Sequence, residues 1–150
     1  MKILIVFATY SSGTHMAADV VSQALQAKGH TVDLKDVQEV QLDAFNNYDL
    51  IILATPSWDI GGQGGQPHEH FVSFIAGAQG KTMPGKKFAV FGLGDSSYPE
   101  FCGGVDHLEK FVKDLQGTLV APSLRIDGYF FNQEEANNKI TEWIASLPTA

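Results

Sequence analysis

Apolar runs alternate with helical patterns along the whole chain, and this alternation constrains the fold more than any other feature of the sequence. Five runs are typical of strands, and they cover residues 3–7, 31–34, 50–54, 88–91 and 118–126. Apolar residues at helical spacing fill the segments 14–28, 68–76, 105–115 and 132–147. We read the order as five β–α units, which demand parallel strands, right-handed crossovers and helices on both faces of the sheet.

Single residues set the expected ends of these elements. Gly29 is expected to end the first helix, and Pro67 to stand in the first turn of the second. Pro122 is expected to bend the fifth strand or to place it at an edge. Asn132 is predicted to cap the last helix. That helix is expected to bury four apolar residues, namely Ala136, Ile140, Ile144 and Leu147.

Length and composition favour one self-sufficient domain over residues 1–150. A chain of 150 residues can bury roughly 70% of its unfolded surface without help from a metal or a disulfide. The single cysteine, Cys102, excludes an internal disulfide and a cysteine-based zinc site. No run approaches ~18 apolar residues, and the first run is too short for a signal peptide. We therefore expect one cytoplasmic domain that does not bind a membrane.

The charge balance bears on the partners of the chain. Ten lysines and arginines against seventeen aspartates and glutamates give a net charge of −7. Such a surface repels a phosphate backbone, so nucleic acid is excluded as a partner. It favours a basic protein partner through electrostatic steering, although an acidic surface also serves solubility alone.

The loop after the first strand has the features of an anion site. It contains Thr9, Tyr10, Ser11, Ser12, Gly13 and Thr14. Hydroxyl groups and backbone N–H groups converge there on a helix N-terminus, whose dipole favours a phosphate. The loop has no lysine or arginine, so neutral donors alone would hold the phosphate, and neither a P-loop nor a Gly-x-Gly-x-x-Gly motif is present. The alternative is that the serine and threonine side chains simply cap the helix.

Two further loops carry aromatic residues at the same edge of the expected sheet. Trp58 follows the third strand among small polar residues, which suits an aromatic ligand face or a partner surface. The alternatives are a tryptophan folded back under its own loop, and glycines at 61, 62, 64 and 65 that mark only a mobile segment. Tyr98 follows the fourth strand, where Gly92 and Gly94 let backbone donors approach a ligand. With the hydroxyl-rich loop, these aromatics fit a planar heterocycle that carries one phosphate.

The nucleophile and metal candidates are weaker. No histidine is placed to activate Cys102, so we expect a buried structural thiol. His15, His68 and His70 do not have the spacing of a metal site on a helix, and surface roles are expected for them.

Taken together, the three loops resemble those of the flavodoxin family of small FMN-binding electron carriers. The most specific segment is residues 92–106, Gly-Leu-Gly-Asp-Ser-Ser-Tyr-Pro-Glu-Phe-Cys-Gly-Gly-Val-Asp. Residues 124–128, Leu-Arg-Ile-Asp-Gly, match the short-chain form of the family. The resemblance implies a three-layer α/β/α fold with a five-stranded parallel sheet in the order 2-1-3-4-5. It also implies noncovalently bound FMN and a role as a low-potential carrier of single electrons rather than an enzyme.

The resemblance further implies a role for each candidate site residue. The phosphate is held by Thr9, Tyr10, Ser11, Ser12, Gly13 and Thr14. Trp58 covers one face of the flavin ring and Tyr98 stacks on the other. The near side of the ring is lined by Pro56, Ser57 and Asp59. Backbone groups of Leu93, Gly94, Asp95 and Cys102 meet the pyrimidine edge, and Phe101 belongs to the same cofactor-binding set.

The sequence departs from the family pattern in three places. Gly13 stands one position later than the glycine of the usual phosphate loop, and the stretch 58–71 is longer than in other short-chain members. Asp59 stands where glycine is common. The resemblance implies that this peptide flips to positive φ when the flavin takes up one electron, so that its carbonyl accepts a hydrogen bond from flavin N5. Because aspartate resists positive φ by ~1 kcal/mol more than glycine, we expect the one-electron-reduced state to be less stabilised. Acidic residues near the ring are expected to lower the potential of the second electron: Asp59, Glu69, Asp95, Glu100 and Asp106.

The same fold also serves three other functions. An FMN-dependent NAD(P)H quinone reductase is the enzymatic alternative, but such proteins usually carry longer insertions. A phosphoreceiver domain would require acidic residues where Thr9, Tyr10 and Thr55 stand. A domain of a larger diflavin reductase is the third, but Met1 and the full set of β–α units favour a whole protein.

Overall fold

A parallel sheet forms the middle layer of the molecule. The computed structural model describes residues 1–10, 12–60, 63–95 and 101–148, without the side chains of residues 59 and 60. The strands are β1 Lys2–Phe7, β2 Thr31–Asp36, β3 Leu50–Pro56, β4 Trp58–Ile60, β5 Gln63–Gln66, β6 Lys87–Gly94, β7 Thr118–Leu119 and β8 Leu124–Asp127. The helices are α1 Gly13–Ala27, α2 Glu69–Gly77, α3 Gly103–Asp114 and α4 Gln133–Ser146. Two short 3-10 helices, Val37–Glu39 and Leu42–Asn47, connect β2 to β3.

The order of the main sheet confirms the predicted topology. Its strands run β2-β1-β3-β6, and both β7 and β8 pair in parallel with β6 on its other side. The fifth position of the predicted order is therefore divided between two short strands. Pro122 lies between them, and a proline cannot donate to a ladder, so the continuous strand predicted over residues 118–126 is wrong at its centre.

Both faces of the sheet are buried, as expected of continuous apolar strands. Successive residues of β1 point to opposite sides, so that Ile3 and Ile5 join one core cluster while Leu4 and Val6 join the other. Helices α1 and α4 cover the first cluster, and α2 and α3 cover the second. The three-layer α/β/α architecture is confirmed.

Four local predictions differ from the structure. The five predicted β–α units imply a helix after β2, but no α-helix follows it, because the segment has no 3.6-residue apolar period and anchors itself by the buried Val37 and Phe45. The loop after β3 contains an antiparallel hairpin of β4 and β5. Pro67 precedes α2 rather than standing in its first turn, because His68 is the N-cap. Asn132 occupies the N-cap position of α4, but its side chain makes no capping hydrogen bond.

The expected ends and buried faces of the helices otherwise hold. Gly29 follows α1 with φ of +93°, a conformation that glycine adopts without strain. The four apolar residues predicted for α4 are buried. Trp143 of α4 is buried as well, and its indole Nε1 donates to the Pro122 carbonyl over 2.8 Å, a contact that the helical pattern did not indicate.

Candidate functional site

The loops after β1, β3 and β6 meet at the carboxyl edge of the sheet. The Ala8 N–H donates to the Ala54 carbonyl over 3.2 Å, and the Ser57 N–H donates to the Leu93 carbonyl over 3.0 Å. The Gly104 N–H, in the first turn of α3, donates to Ser57 Oγ over 2.9 Å. The structure thus brings together the loops that the sequence singled out, at the edge where parallel α/β sheets bind ligands.

The first of these loops holds two buried hydroxyl groups without a partner. Thr9 Oγ1 and Thr14 Oγ1 are both shielded from solvent, and neither makes a hydrogen bond. Leaving a buried hydroxyl unpaired costs about 1–3 kcal/mol, so native structures rarely tolerate two within one short loop. Such a pair indicates that a ligand with hydrogen-bond acceptors belongs there.

The N-terminus of α1 lies in the same loop and is not capped by a side chain. Ser12 takes the N-cap position in the left-handed conformation, with φ of 68°, and its hydroxyl makes no capping hydrogen bond. The first turn contains no acidic residue. The alternative in which these hydroxyls merely cap the helix is therefore wrong for Ser12, while Ser11 lies outside the described residues. The free N–H groups and the helix dipole favour an anion.

One contact beside the N-terminus of α1 was not predicted. A Cβ atom on Gly13 would lie 3.0 Å from Cε2 of Phe130 and 3.2 Å from Cδ2 of Leu93. The Phe130 ring therefore packs edge-on against the first residue of α1, although it comes from the turn after β8. A side chain at position 13 would have to move this half-exposed ring by a few tenths of an ångström. No local pattern links residues so far apart in sequence.

An aromatic cluster borders the hydroxyl-rich loop. Trp58 is 54% exposed, so the alternative of an indole folded under its own loop is wrong. The Tyr10 ring lies 5.0 Å from the Trp58 ring and stacks on the imidazole of His68, at 3.9 Å between centroids and 23° between planes. Tyr98, the predicted second stacking residue, lies outside the described residues. Asp59 lies in the extended strand β4, and nothing is described of its side chain.

The hairpin after β3 packs against α3. Trp58 pairs with Gln66 across β4 and β5, and the backbone of Gly65 lies so close to Gly103 that a Cβ there would stand 2.6 Å from the Gly65 carbonyl oxygen. The described glycines at 64 and 65 thus belong to a packed strand rather than to a merely mobile segment. Gly61 and Gly62 lie outside the described residues.

The loop after β6 brings its backbone close to Cys102. A Cβ on Gly94 would lie 2.9 Å from the Cys102 backbone nitrogen, so the lack of a side chain at 94 lets the end of β6 approach Cys102 this closely. Asp95 is exposed where β6 ends. Phe101 is partly buried against the core cluster beneath α3, so its side chain contributes to packing.

Cys102 itself is a structural thiol, as expected. It is fully buried, and its Sγ lies 3.8 Å from the carbonyl oxygens of Gly92 and Ile126. Burial raises the pKa of the Cys102 thiol to about 12, so the reactive thiolate is not formed at neutral pH.

Thr55 and Ser57 hold the end of β3 in place. Thr55 is fully buried; its hydroxyl donates to the Pro56 carbonyl and accepts from the His68 N–H, each over 2.9 Å. Ser57 Oγ accepts the Gly104 N–H, which ties the end of β3 to the first turn of α3. Thr55 was not among the candidate residues, because a threonine at a strand end carries no distinctive pattern.

The predicted surface role is wrong for His68, which is only 3% exposed. It stands before α2 rather than on it, so the spacing expected of helix residues does not apply. His15 stacks on Phe7 at 4.6 Å between ring centroids. Within the described ranges, no three side chains of His, Cys, Asp or Glu are grouped to hold a metal ion.

The charges around the site differ in one respect from expectation. Arg125 binds the carboxylates of Asp106, over 2.5 Å, and of Glu109, over 3.1 Å, so Asp106 contributes less negative charge than predicted. Glu69 is exposed in the first turn of α2, while Glu100 lies outside the described residues.

Other features of the described chain lie away from this edge. An open cleft of about 700 Å³ is formed at the opposite end of the sheet, where Lys81, Met83 and Lys86 line it. It contains no aromatic ring and no unpaired buried hydroxyl, so it does not compete with the loop site. No helix in the described part of the chain has the length and apolarity needed to cross a membrane.

Comparison with known proteins agrees with this geometry. The sequence profile of the family described as flavodoxin matches residues 5–143. Probable flavodoxin 2 of Bacillus subtilis is 38% identical over 137 residues, which cover 89% of this chain and 87% of that protein. The flavodoxin of Maridesulfovibrio salexigens is 32% identical over 143 residues, covering 95% and 93%. Among solved structures, oxidised flavodoxin 2 from Bacillus cereus has a TM-score of 0.86 at 29% identity, with 97% of each chain covered.

Proposed function

This chain belongs to the flavodoxin family, and on that premise we propose which of its residues hold the cofactor and which partners it meets. The protein is an electron carrier rather than a catalyst, and its cofactor is FMN. The relatives described above give no support to the quinone reductase alternative. When bound, FMN supplies the capacity to take up and release single electrons.

The unpaired hydroxyls of Thr9 and Thr14 are the observation that carries the assignment of the phosphate site. They stand beside the uncapped N-terminus of α1, and the loop has no lysine or arginine. A phosphate supplies acceptors for both hydroxyls and for the free N–H groups of the first turn. Ser11, Ser12 and Gly13 complete this set.

The aromatic rim suits the flavin ring. Trp58 offers an exposed indole face beside Tyr10, and burial of such a face against a planar ring removes apolar surface from water. We assign Trp58 to one face of the ring and Tyr98 to the other, with Pro56, Ser57 and Asp59 along the near side. Stacking of this kind excludes water and disfavours added negative charge on the ring.

The pyrimidine edge is assigned to backbone groups. Gly94 lets the end of β6 approach the backbone of Cys102, and Leu93 and Asp95 flank Gly94. Because the Cys102 thiol is buried and protonated, that residue contributes its backbone alone. Phe101 supports the loop by packing against the core.

The family implies redox proteins as partners, and we infer that these partners present a basic face. The net charge of −7 attracts such proteins and speeds their encounter with this chain. Because salt screens attraction between exposed charges, the complex can dissociate after electron transfer. We further propose that the protein is a single domain over residues 1–150, acts as a monomer and works in the cytoplasm.

Titration with FMN tests the proposed function. The expected result is quenching of flavin fluorescence at one equivalent, because the ring becomes stacked on Trp58, and weaker binding of riboflavin, which lacks the phosphate. The Trp58→Ala variant should bind more weakly with little quenching. Equal affinity for FMN and riboflavin would refute the phosphate site, and failure to bind either would refute the whole proposal.

A further inference from the structure

Two adjacent phenylalanines are exposed on the turn between β8 and α4. Phe131 is 89% exposed, more than any other large hydrophobic side chain in the described part of the chain. Phe130 beside it is 50% exposed. Single exposed apolar side chains are common on protein surfaces, but adjacent phenyl rings form a patch, and patches of this kind mark sites of contact with another molecule. We call these two side chains the phenyl pair.

The turn holds the phenyl pair in place before any partner arrives. The N–H groups of Phe131 and Asn132 both donate to the Gly128 carbonyl, over 2.9 Å and 3.1 Å. Tyr129 is buried in the core beneath α1 and α4, and its ring meets that of Phe130 edge-on, at 5.9 Å between centroids. Because the backbone of the turn is already ordered, little conformational entropy is lost when a partner covers the rings.

The phenyl pair adjoins the candidate flavin site. The Gly128 N–H donates to the Gly94 carbonyl over 3.0 Å, which ties the turn to the end of β6. The side chains of Phe130 and Leu93 both border Gly13, the first residue of α1. Leu93, Gly94 and Gly13 are all assigned above to the cofactor. Since electrons pass between proteins only over short distances, a partner seated on the phenyl pair is brought beside the flavin.

The charges around the phenyl pair select the kind of partner. Between Arg125 and Lys139 the chain has three acidic residues, Asp127, Glu134 and Glu135, and no basic one. The two glutamates are exposed in the first turn of α4, and Arg125 is itself paired with two carboxylates of α3. A second copy of this chain would bring two acidic borders together, and an anionic lipid surface is repelled in the same way. A basic protein surface is attracted.

We propose that the phenyl pair is the apolar centre of the surface on which redox partners dock, and that it fits a basic protein with an apolar depression bordered by lysine or arginine. The inference rests on the proposed function, because it places the partner beside the assigned flavin site. Phe131 is the anchor, since aromatic side chains at the centre of an interface carry much of its affinity. The acidic border acts mainly on the rate of encounter.

Three variants separate the apolar anchor from the charged border. Phe131→Ser removes the exposed ring and leaves every residue assigned to the cofactor in place. Leu119→Ser is the matched control, because Leu119 is 36% exposed in β7 and pairs with Phe88, at the opposite end of β6 from Gly94. Glu134→Gln removes one charge of the border. All three variants should bind FMN as the parent does.

The measured quantity is the Kd between the oxidised, FMN-loaded protein and oxidised cytochrome c, a basic haem protein that serves as the probe. Phe131→Ser should raise this Kd about tenfold, and Leu119→Ser should keep it within about twofold. The tenfold factor should persist as salt is added, because burial of apolar surface is not screened. Glu134→Gln should raise the Kd about twofold at low salt and have no effect at high salt.

Two outcomes of this titration would overturn the proposal. One is an equal Kd for the parent and Phe131→Ser, and the other is no binding of cytochrome c by the parent at low salt. Failure of the parent to bind FMN would refute the proposed function instead. A parent that binds FMN, and whose Kd for cytochrome c does not respond to Phe131→Ser, would refute only the docking surface.

Measurements on the unaltered chain cover the case in which a variant does not fold and test the other occupants of the patch. Addition of cytochrome c should shift the nitrogen-15 amide signals of residues 128–132, and shifts confined to α2 and β7 would overturn the proposal. Sedimentation equilibrium tests a second copy: a parent dimer that Phe131→Ser dissociates would overturn the proposal. Binding of the parent, but not of Phe131→Ser, to phosphatidylglycerol vesicles would assign the patch to a membrane and overturn it as well.

Discussion

Replacement of Thr14 by valine should change protein stability and cofactor affinity in opposite directions. Thr14 is 1% exposed, and its hydroxyl has no hydrogen-bond partner. Valine has nearly the same shape, with a methyl group in place of the oxygen, and the two residues have similar helix propensities. The substitution therefore removes an unpaired buried hydroxyl without leaving a cavity.

The sizes of the two effects follow from this geometry. An unpaired buried hydroxyl costs about 1–3 kcal/mol, so Thr14→Val should raise the free energy of unfolding of the FMN-free protein by about 1 kcal/mol. A hydrogen bond to a charged phosphate contributes about 1.5–3 kcal/mol, so the FMN Kd should rise between about tenfold and a hundredfold. Riboflavin has no phosphate, and its Kd should stay nearly unchanged.

Urea unfolding without FMN and fluorescence titration with each flavin measure these quantities. Thr14→Ser is the matched control, since it keeps the hydroxyl and should retain FMN affinity close to that of the parent. A Thr14→Val protein that is less stable than the parent and binds FMN equally well would refute the reasoning. That outcome would mean that the hydroxyl serves packing rather than the phosphate.

Four further outcomes are expected. Asp59→Gly should move the two one-electron potentials by about 40 mV in opposite directions and so widen their separation. The reason is that glycine in β4 reaches positive φ at a cost ~1 kcal/mol lower than aspartate does. Unchanged potentials in a redox titration would contradict this. Gly92→Ala should lower the free energy of unfolding in urea by about 1–3 kcal/mol, because its Cβ would lie 2.4 Å from Cγ2 of Val105 in α3. Gly77→Ala is the control: it has open space around it and should not lower the free energy of unfolding. Cys102 should resist a thiol reagent at pH 8 in the folded protein and react in urea, because burial raises its pKa to about 12; rapid labelling of the folded chain would contradict this. The pKa of the His68 ring is lowered in the folded protein, so the neutral ring stabilises the fold at pH values above its unfolded pKa of 6.5. The free energy of unfolding of the parent should therefore exceed that of His68→Asn by less and less as the pH falls below 6.5. A difference that does not change with pH would show that the ring does not titrate in this way.

The sheet could be predicted from the sequence because its strands are buried on both faces. Runs such as residues 50–54 have no polar position, which is typical of a central parallel strand, and Leu50–Pro56 is central in the structure. The connection after β2 could not be predicted, because short 3-10 helices carry no period that a window of residues would reveal. The division of the fifth strand was indicated by Pro122, but the sequence did not give its extent.

The candidate site was predicted in part for a similar reason. The ends of the apolar strands can be recognised in the sequence, so the loops that follow them could be placed at one edge of the sheet. The unpaired hydroxyls of Thr9 and Thr14 lie at that edge. Contacts between distant segments were missed. Phe130 meets Gly13, and His68 meets Tyr10, through tertiary packing that no local spacing encodes.

Stepwise reduction of the purified protein, followed by its visible absorption and electrode potential, tests electron carriage most directly. We expect the bound flavin to be reduced in two resolved one-electron steps, the second at a potential well below that of free FMN, because the ring is shielded from water and lies in an acidic protein. A single two-electron step at the potential of free FMN would contradict the account.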